Sequence, residues 1–182
     1  MPFITTNIPD LMIFEPTVWK DERGYFFESY NQNTFQKAGI KTHFVQDNQA
    51  RSTFGVVRGL HYQLPPYAQA KLVRVIEGEV LDIVVDIRRD SPSYGQTFSL
   101  LLSADNKKQL FVPRGFAHGY AVTSPTAIFT YKCDNFYSKA HEAGIDIQDP
   151  ALDIKLPFQW DEAIFSEKDK IWPKFGAHKM FK

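Results

Sequence analysis

The stretch "GVVRGLHYQLPPYAQAKLVRVIEGEV", residues 55–80, reads as two strands joined by a proline-containing turn. Apolar and β-branched residues alternate in "GLHYQ" (Gly59–Gln63) and "KLVRVIE" (Lys71–Glu77), the period of half-buried β-structure. The charge is out of place. Arg58, His61 and Lys71 fall where a sheet interior ordinarily holds apolar groups. Gly78–Glu79 reads as a two-residue hairpin turn, with glycine in the left-handed position, before a further strand at Val80–Ile87.

The same pattern continues in both directions. Strands are expected at Tyr25–Tyr30, Thr42–Ala50, Gly95–Ser103, Gln109–Pro113, His118–Ser124 and Ala127–Cys133. Helical signal is confined to "NTFQKAGI", starting at Asn33 and stopped by Gly39, and to a turn in "SEKDKIW" ended by Pro173. Strand following strand, without intervening helices, excludes a parallel βαβ sheet. The expectation is an all-β chain: a jelly-roll double-sheet barrel with short peripheral helices, residues 1–182 forming one domain.

Composition narrows the function. The 21 basic and 21 acidic residues cancel, so no global field attracts nucleic acid or an anionic membrane, and an anionic ligand needs a local cluster. Aromatic residues reach 15%, which suits sheet packing and also a pocket that stacks a ring-shaped ligand. The lone cysteine, Cys133, closes no intramolecular disulfide and supplies no zinc framework, which favours a reducing compartment. "MPFITTNIPDLMIFEP" has neither a basic leader nor a sustained apolar run, so the expected location is cytoplasmic.

The spacing in the opening stretch is cupin-like. Gly55 is followed after five residues by His61-Tyr62-Gln63, and Lys71 precedes Gly78 by six residues, the frame of the first cupin motif. "PRGFAH" (Pro113–His118) supplies the second. The four metal-ligand slots therefore hold His61, Gln63, Lys71 and His118. A lysine ammonium repels a divalent cation, so no metal is expected, and the pocket reads as converted to acid–base and anion chemistry. Each residue alone also has a plainer reading. A strand histidine is commonly a satisfied core residue, Lys71 a solvated strand end, and Arg58 a surface cation beside a bulge at Gly59.

Longer stretches carry a closer likeness. "FVQDNQARSTFGVVRGLHYQ", "AKLVRVIEGEVLDIVVDIR", "FVPRGFAHGYAV", "YKCDNFY" and "FSEKDK" together resemble the dTDP-4-dehydrorhamnose 3,5-epimerases, over nearly the whole chain. The resemblance implies a jelly-roll homodimer without metal or organic cofactor. It implies dTDP-4-dehydro-6-deoxy-D-glucose as substrate, inverted at both carbons that flank its ketone. His61 would be the catalytic base, Tyr131 the proton donor, Asp169 the carboxylate that orients the base and Lys71 the group that stabilises the enolate oxygen. Contacts to dTDP are implied at Arg23, Glu28, Gln46, Asn48, Arg58 and His118, with Phe26 and Tyr137 as thymine-stacking rings. Glu142 and Lys168 match further ligand-contact positions. "CDNFYSKAHEAG" and "KIWPKF" depart from the commonest pattern of that family.

Chemistry gives these residue types a reason. Removing a proton beside a ketone calls for a base that titrates near neutrality, and a carboxylate on the other ring nitrogen fixes its tautomer. The enolate needs a preformed cation, and inversion needs an acid on the opposite face. Arginine forks suit a diphosphate. Two structural alternatives stay open: Ser166-x-x-Asp169 is also a helix capping box, and Tyr131 is also a plausible pocket-lining ring. The residues alone also leave open a single-centre 3- or 5-epimerase and a barrel that binds nucleotide sugars without turnover.

Overall fold

In the structure, a computed structural model, residues 2–181 are described. The strands run β1 (Phe3–Thr5), β2 (Met12–Phe14), β3 (Trp19–Asp21), β4 (Gly24–Phe26), β5 (Gln46–Thr53), β6 (Val57–Gln63) and β7 (Lys71–Glu77). They continue with β8 (Glu79–Asp86), β9 (Thr97–Ser103), β10 (Gln109–Val112), β11 (Phe116–Val122), β12 (Thr126–Cys133) and β13 (Glu142–Gly144). One short helix, α1 (Gln32–Lys37), and several 3₁₀ turns complete the chain. A six-stranded sheet in the order β1-β2-β10-β7-β12-β5 faces a five-stranded sheet, β13-β6-β11-β8-β9. This is the expected all-β, cupin-type jelly roll, although the two sheets stay separate and do not close into a barrel.

Alternation builds the interior. Val73 and Val75 of β7, Phe129 of β12, Val80 and Val84 of β8, and Tyr120 and Val122 of β11 meet in one buried cluster between the sheets. The opposite face of the small sheet, with Leu60, Tyr62, Ile83, Val85 and Ala117, is covered by the chain after β13 through Ile145, Ile147, Leu152 and Ile154. Phe35 of α1 packs with Phe14, Leu72 and Phe111 on the outside of the large sheet.

Several boundaries differ from expectation. The segment Tyr25–Tyr30 is strand only as far as Phe26, because β4 pairs with β3 alone and the chain then turns into α1. That helix starts one residue before Asn33, and the Asn31 side chain caps it by accepting from the Asn33 and Thr34 amides. The strand expected from Thr42 begins at Gln46, since its partner β12 ends at Cys133 opposite Gln46. β1, β2, β3 and β13, three residues each, carry too short a pattern to be legible in the sequence.

The Gly78–Glu79 hairpin is overturned. β7 pairs with β10 and β12 while β8 pairs with β11 and β9, so Gly78 is the corner at which the chain changes sheets. Its φ of +74° is left-handed, and a Cβ there would lie 1.9 Å from the Thr126 carbonyl oxygen and 2.4 Å from Ser124 Oγ. Gly78→Ala should therefore destabilise the protein by about 2 kcal/mol or more, strain and backbone clash adding together. A urea-unfolding midpoint unchanged from wild type would show that the corner relaxes freely.

Candidate active site

Arg58 and His61 are three residues apart on β6, a spacing that puts side chains on opposite faces of a regular strand. Here β6 carries an extra residue relative to β11. Arg58 sits opposite Tyr120 and His61 opposite His118, with a register shift between the two pairs. The bulge forms at Gly59, whose φ is +124° and whose added Cβ would lie 2.6 Å from Gly119 Cα. Both side chains consequently line the same cavity.

The large sheet supplies the other wall in register. Lys71 of β7 lies beside Cys133 of β12, which lies opposite Gln46 of β5. One step along the strands, Val73, Tyr131 and Asn48 form the next row. The Lys71 ammonium stands 5.6 Å from the Tyr131 ring centroid. Tyr120 stacks on Phe129 at 4.2 Å and links the two sheets below the polar groups.

His61 Nε2 contacts Asp169 Oδ1 at 2.5 Å, with the carboxylate side chain 3% exposed and the imidazole 26%. An ionised carboxylate only accepts, so Nε2 carries the proton and Nδ1 keeps the lone pair. Burial pushes Asp169 up, but hydrogen bonds from His61, Ser166 and Trp172 and the charge on His61 outweigh it and hold the carboxyl below its usual range. The capping reading is equally present, because the Asp169 backbone N–H donates to Ser166 Oγ at 3.2 Å. One residue serves both purposes.

A second such pair lies deeper. His118 Nε2 donates to Asp82 Oδ2 at 2.9 Å, both side chains buried. Burial draws His118 below its ordinary value despite the nearby Asp82 charge. Lys71 is likewise lowered by desolvation, against the opposing pull of Cys133, Asp82 and Glu142. Tyr131 is pushed up to about 12, mainly by burial, so its phenol is protonated at neutral pH.

A cavity of about 300 Å³ brings together Arg58, His61, Lys71, His118, Tyr131, Tyr137, Glu142 and Lys168. At its mouth Lys168 pairs with Glu142 at 2.6 Å, and the Tyr137 hydroxyl donates to the same carboxylate at 3.1 Å. Asp169 stands behind His61. Gln46 donates to Asn48 Oδ1 and accepts from the Tyr137 backbone N–H, so these two residues support the rim. Arg23, Phe26 and Glu28 lie elsewhere. Arg23 pairs with Asp21 on the exposed β3–β4 hairpin, Phe26 is 70% exposed there, and Glu28 accepts from Asn31.

Gln63 is engaged structurally: its amide donates to the Tyr67 and Phe136 carbonyls and accepts from the Ser138 N–H. With a lysine in another of the four slots, the cupin ligand set does not fit a divalent cation, and among the described residues no group of three or more His, Cys, Asp or Glu could hold one. Ala50, Gly119, Tyr120 and Phe129 also line the cavity. Ala50, Tyr120 and Phe129 follow from period-two extension of the strands bearing Asn48, His118 and Tyr131, and Gly119 is the side-chain-free residue between His118 and Tyr120. Asp82 was detectable as an acid inside the apolar run "VLDIVVDI". Trp172, whose indole N–H donates to Asp169 Oδ1 at 3.2 Å, left no pattern signal.

The chain is similar to several known proteins. The family profile described as dTDP-4-dehydrorhamnose 3,5-epimerase matches residues 5–177. A dTDP-4-dehydrorhamnose 3,5-epimerase from Shigella flexneri is 54% identical over 176 residues, covering 96% of both chains. The crystal structure of the Elizabethkingia anophelis enzyme of the same name superposes with a TM-score of 0.92 at 48% identity, covering 96% of each chain. An epimerase from Legionella pneumophila, solved in complex with dTDP-4-keto-L-rhamnose, has a TM-score of 0.92 at 44% identity over 96% of this chain and 93% of its own. The chain belongs to the dTDP-4-dehydrorhamnose 3,5-epimerase family.

Proposed function

We propose that this cavity carries out the family's double inversion with His61 as base, Lys71 as the cation facing the enolate oxygen and Tyr131 as the acid. The chain is an isomerase that converts dTDP-4-dehydro-6-deoxy-D-glucose to dTDP-4-dehydro-L-rhamnose. What supports the roles is one arrangement: His61 of the small sheet, held from behind by Asp169, shares a cavity with Lys71 and Tyr131 of the large sheet.

In a gluco-configured ring the hydrogens on C3 and C5 are both axial on one face. One base therefore serves both carbons, and one acid on the other face completes both inversions. His61 Nδ1 takes the proton from carbon, and Asp169 stabilises the imidazolium that forms. The electron pair moves to the C4 oxygen, where the Lys71 ammonium is a preformed donor worth about 3 kcal/mol in comparable oxyanion sites. Tyr131 then delivers its proton to the opposite face of the carbon. Before the second inversion His61 releases its proton and the Tyr131 phenolate regains one, with water as the exchange partner. Arg58 supplies positive charge for the diphosphate, His118 lies in the same cavity as a further nucleotide contact, and Gln46, Asn48, Tyr137, Glu142 and Lys168 form the rim along which the nucleotide lies.

Arg23, Phe26 and Glu28 reach the nucleotide in a homodimer. The β3–β4 hairpin exposes Trp19 (56%), Tyr25 (58%) and Phe26 (70%), a solvent-facing apolar cost that a second copy would remove. Its placement away from the chain's own cavity fits contact with the partner's. Among the described residues no helix is long and apolar enough to cross a membrane. A buried free Cys133 and a nucleotide-sugar substrate accord with a cytoplasmic location.

Deuterium exchange separates the roles. In heavy water His61→Asn should lose exchange at C3 and C5, with turnover reduced at least ~10²-fold. Tyr131→Phe should bind substrate and exchange deuterium with retained configuration while forming little inverted sugar. Equal loss of exchange and inversion in a folded Tyr131→Phe protein would remove it as the acid. Binding without any exchange in the wild type would identify a non-catalytic pocket.

Two further outcomes are expected. Activity should survive exhaustive EDTA treatment; loss restored by a divalent ion would contradict the converted-motif reading. Arg23→Ala and His61→Asn, each inactive alone, should recover about a quarter of wild-type activity when mixed and allowed to exchange subunits, because half the dimers then hold one intact site. No recovery from an exchanged mixture would place Arg23 on its own chain's site.

A further inference from the structure

Trp172 stands in "KIWPKF" (Lys170–Phe175). It follows the 3₁₀ turn Asp169–Ile171, and the next residue is anchored by the Asp146 N–H donating to the Pro173 carbonyl at 2.8 Å. The indole N–H donates to Asp169 Oδ1 at 3.2 Å, the same oxygen that His61 Nε2 contacts at 2.5 Å. The ring meets the imidazole edge-on at 71°, centroids 6.1 Å apart.

The space for the indole is built into the sheet. Gly144 of β13 pairs directly with His61, and a Cβ on Gly144 would lie 2.4 Å from the Trp172 ring. A side chain at the edge-strand position beside the histidine would thus expel the indole. We infer that Trp172, seated on Gly144, is a positioning residue that shares Asp169 Oδ1 with His61 and so sets how strongly the carboxylate holds the catalytic imidazolium. The inference rests on His61 and Asp169 having the roles proposed above.

The direction follows from competition for one oxygen. A second donor on Oδ1 stabilises the carboxylate and draws electron density away from the hydrogen bond to His61. With the indole donor absent, the imidazole holds its proton more tightly, and less of the free enzyme carries the neutral base. The same site contains Arg58, Lys71, His118, Tyr120, Tyr131, Tyr137, Glu142 and Lys168. Lys168 also stands 6.0 Å from the Trp172 ring centroid. Exchanging indole for phenyl keeps an aromatic face for Lys168 and leaves the other groups in place, so the shift reports on the lost donor.

Trp172→Phe keeps an aromatic ring over Gly144 and removes the N–H. The acid limb of its kcat/KM profile should move to higher pH, by on the order of half a pH unit. At a pH well above that limb, kcat/KM should stay within a fewfold of wild type. An unshifted limb in a protein of wild-type melting temperature would overturn the inference, whereas a ring that only packs would lower the melting temperature and leave the limb in place.

A second measurement needs no turnover, so it separates failure of this inference from failure of the epimerase reading. In the wild type the indole NMR signal of Trp172, assigned by its loss in Trp172→Phe, should be protected from solvent exchange. It should shift upfield in Asp169→Asn, where the acceptor has lost its charge. Exchange as fast as that of Trp19, or no response to Asp169→Asn, would show that the N–H is not held by the carboxylate.

Discussion

One added residue in β6 decides which way the site faces. Without the register shift between the Arg58–Tyr120 and His61–His118 pairs, the two-residue period would turn either the arginine or the histidine toward the apolar layer under the C-terminal cover. A cation in that layer would have no carboxylate or phosphate to meet. The shift depends on the absence of side chains at both touching positions, since a Cβ on Gly59 would press on Gly119, and one on Gly119 would lie 2.5 Å from the Arg58 carbonyl oxygen. The close strand contact between these glycines therefore sets the geometry of base and cation together.

Once several ionisable groups share one interior, their desolvation has to be offset. His61 and His118 each meet a carboxylate, Asp169 and Asp82, in hydrogen-bonding distance. Lys71 has no such direct partner among the described residues and is supported only at longer range by the Asp82 and Glu142 carboxylates. Such an arrangement is unfavourable for folding and favourable for chemistry. An ammonium not neutralised in advance is free to meet an oxygen that becomes charged only during the reaction. Cys133, pushed up to about 11 chiefly by burial, remains a thiol and leaves that charge uncompensated.

Much of this was readable from residue order alone. Period-two alternation marks the long strands, and the spacing from Gly55 to Gly78 is enough to put His61 and Lys71 into one pocket. The Gly78 corner was not legible as such, because a left-handed glycine between two strands looks the same whether the strands pair or part. Pairing is settled by distant partners, β10 and β12 for one strand and β11 and β9 for the other. The three-residue strands lack enough repeats to show a period. Asp169 carried two local meanings, cap and catalytic partner, and the chain uses both: its backbone N–H closes a turn while its carboxylate serves His61.

The chain after β13 joins stability to chemistry. Ile145, Ile147, Leu152 and Ile154 shield the outer face of the small sheet, and the same segment then returns to place Asp169 and Trp172 against His61. His61 lies on β6, one strand in from the edge strand β13, so an approaching carboxylate has to pass that edge. On that edge Gly144 leaves the space that the Trp172 indole fills in place of a side chain. The packing of an apolar cover thereby fixes the position of a charged pair on the other side of the sheet. Loosening of the cover would reach the base first through Trp172, the residue in contact with the edge strand and the carboxylate alike.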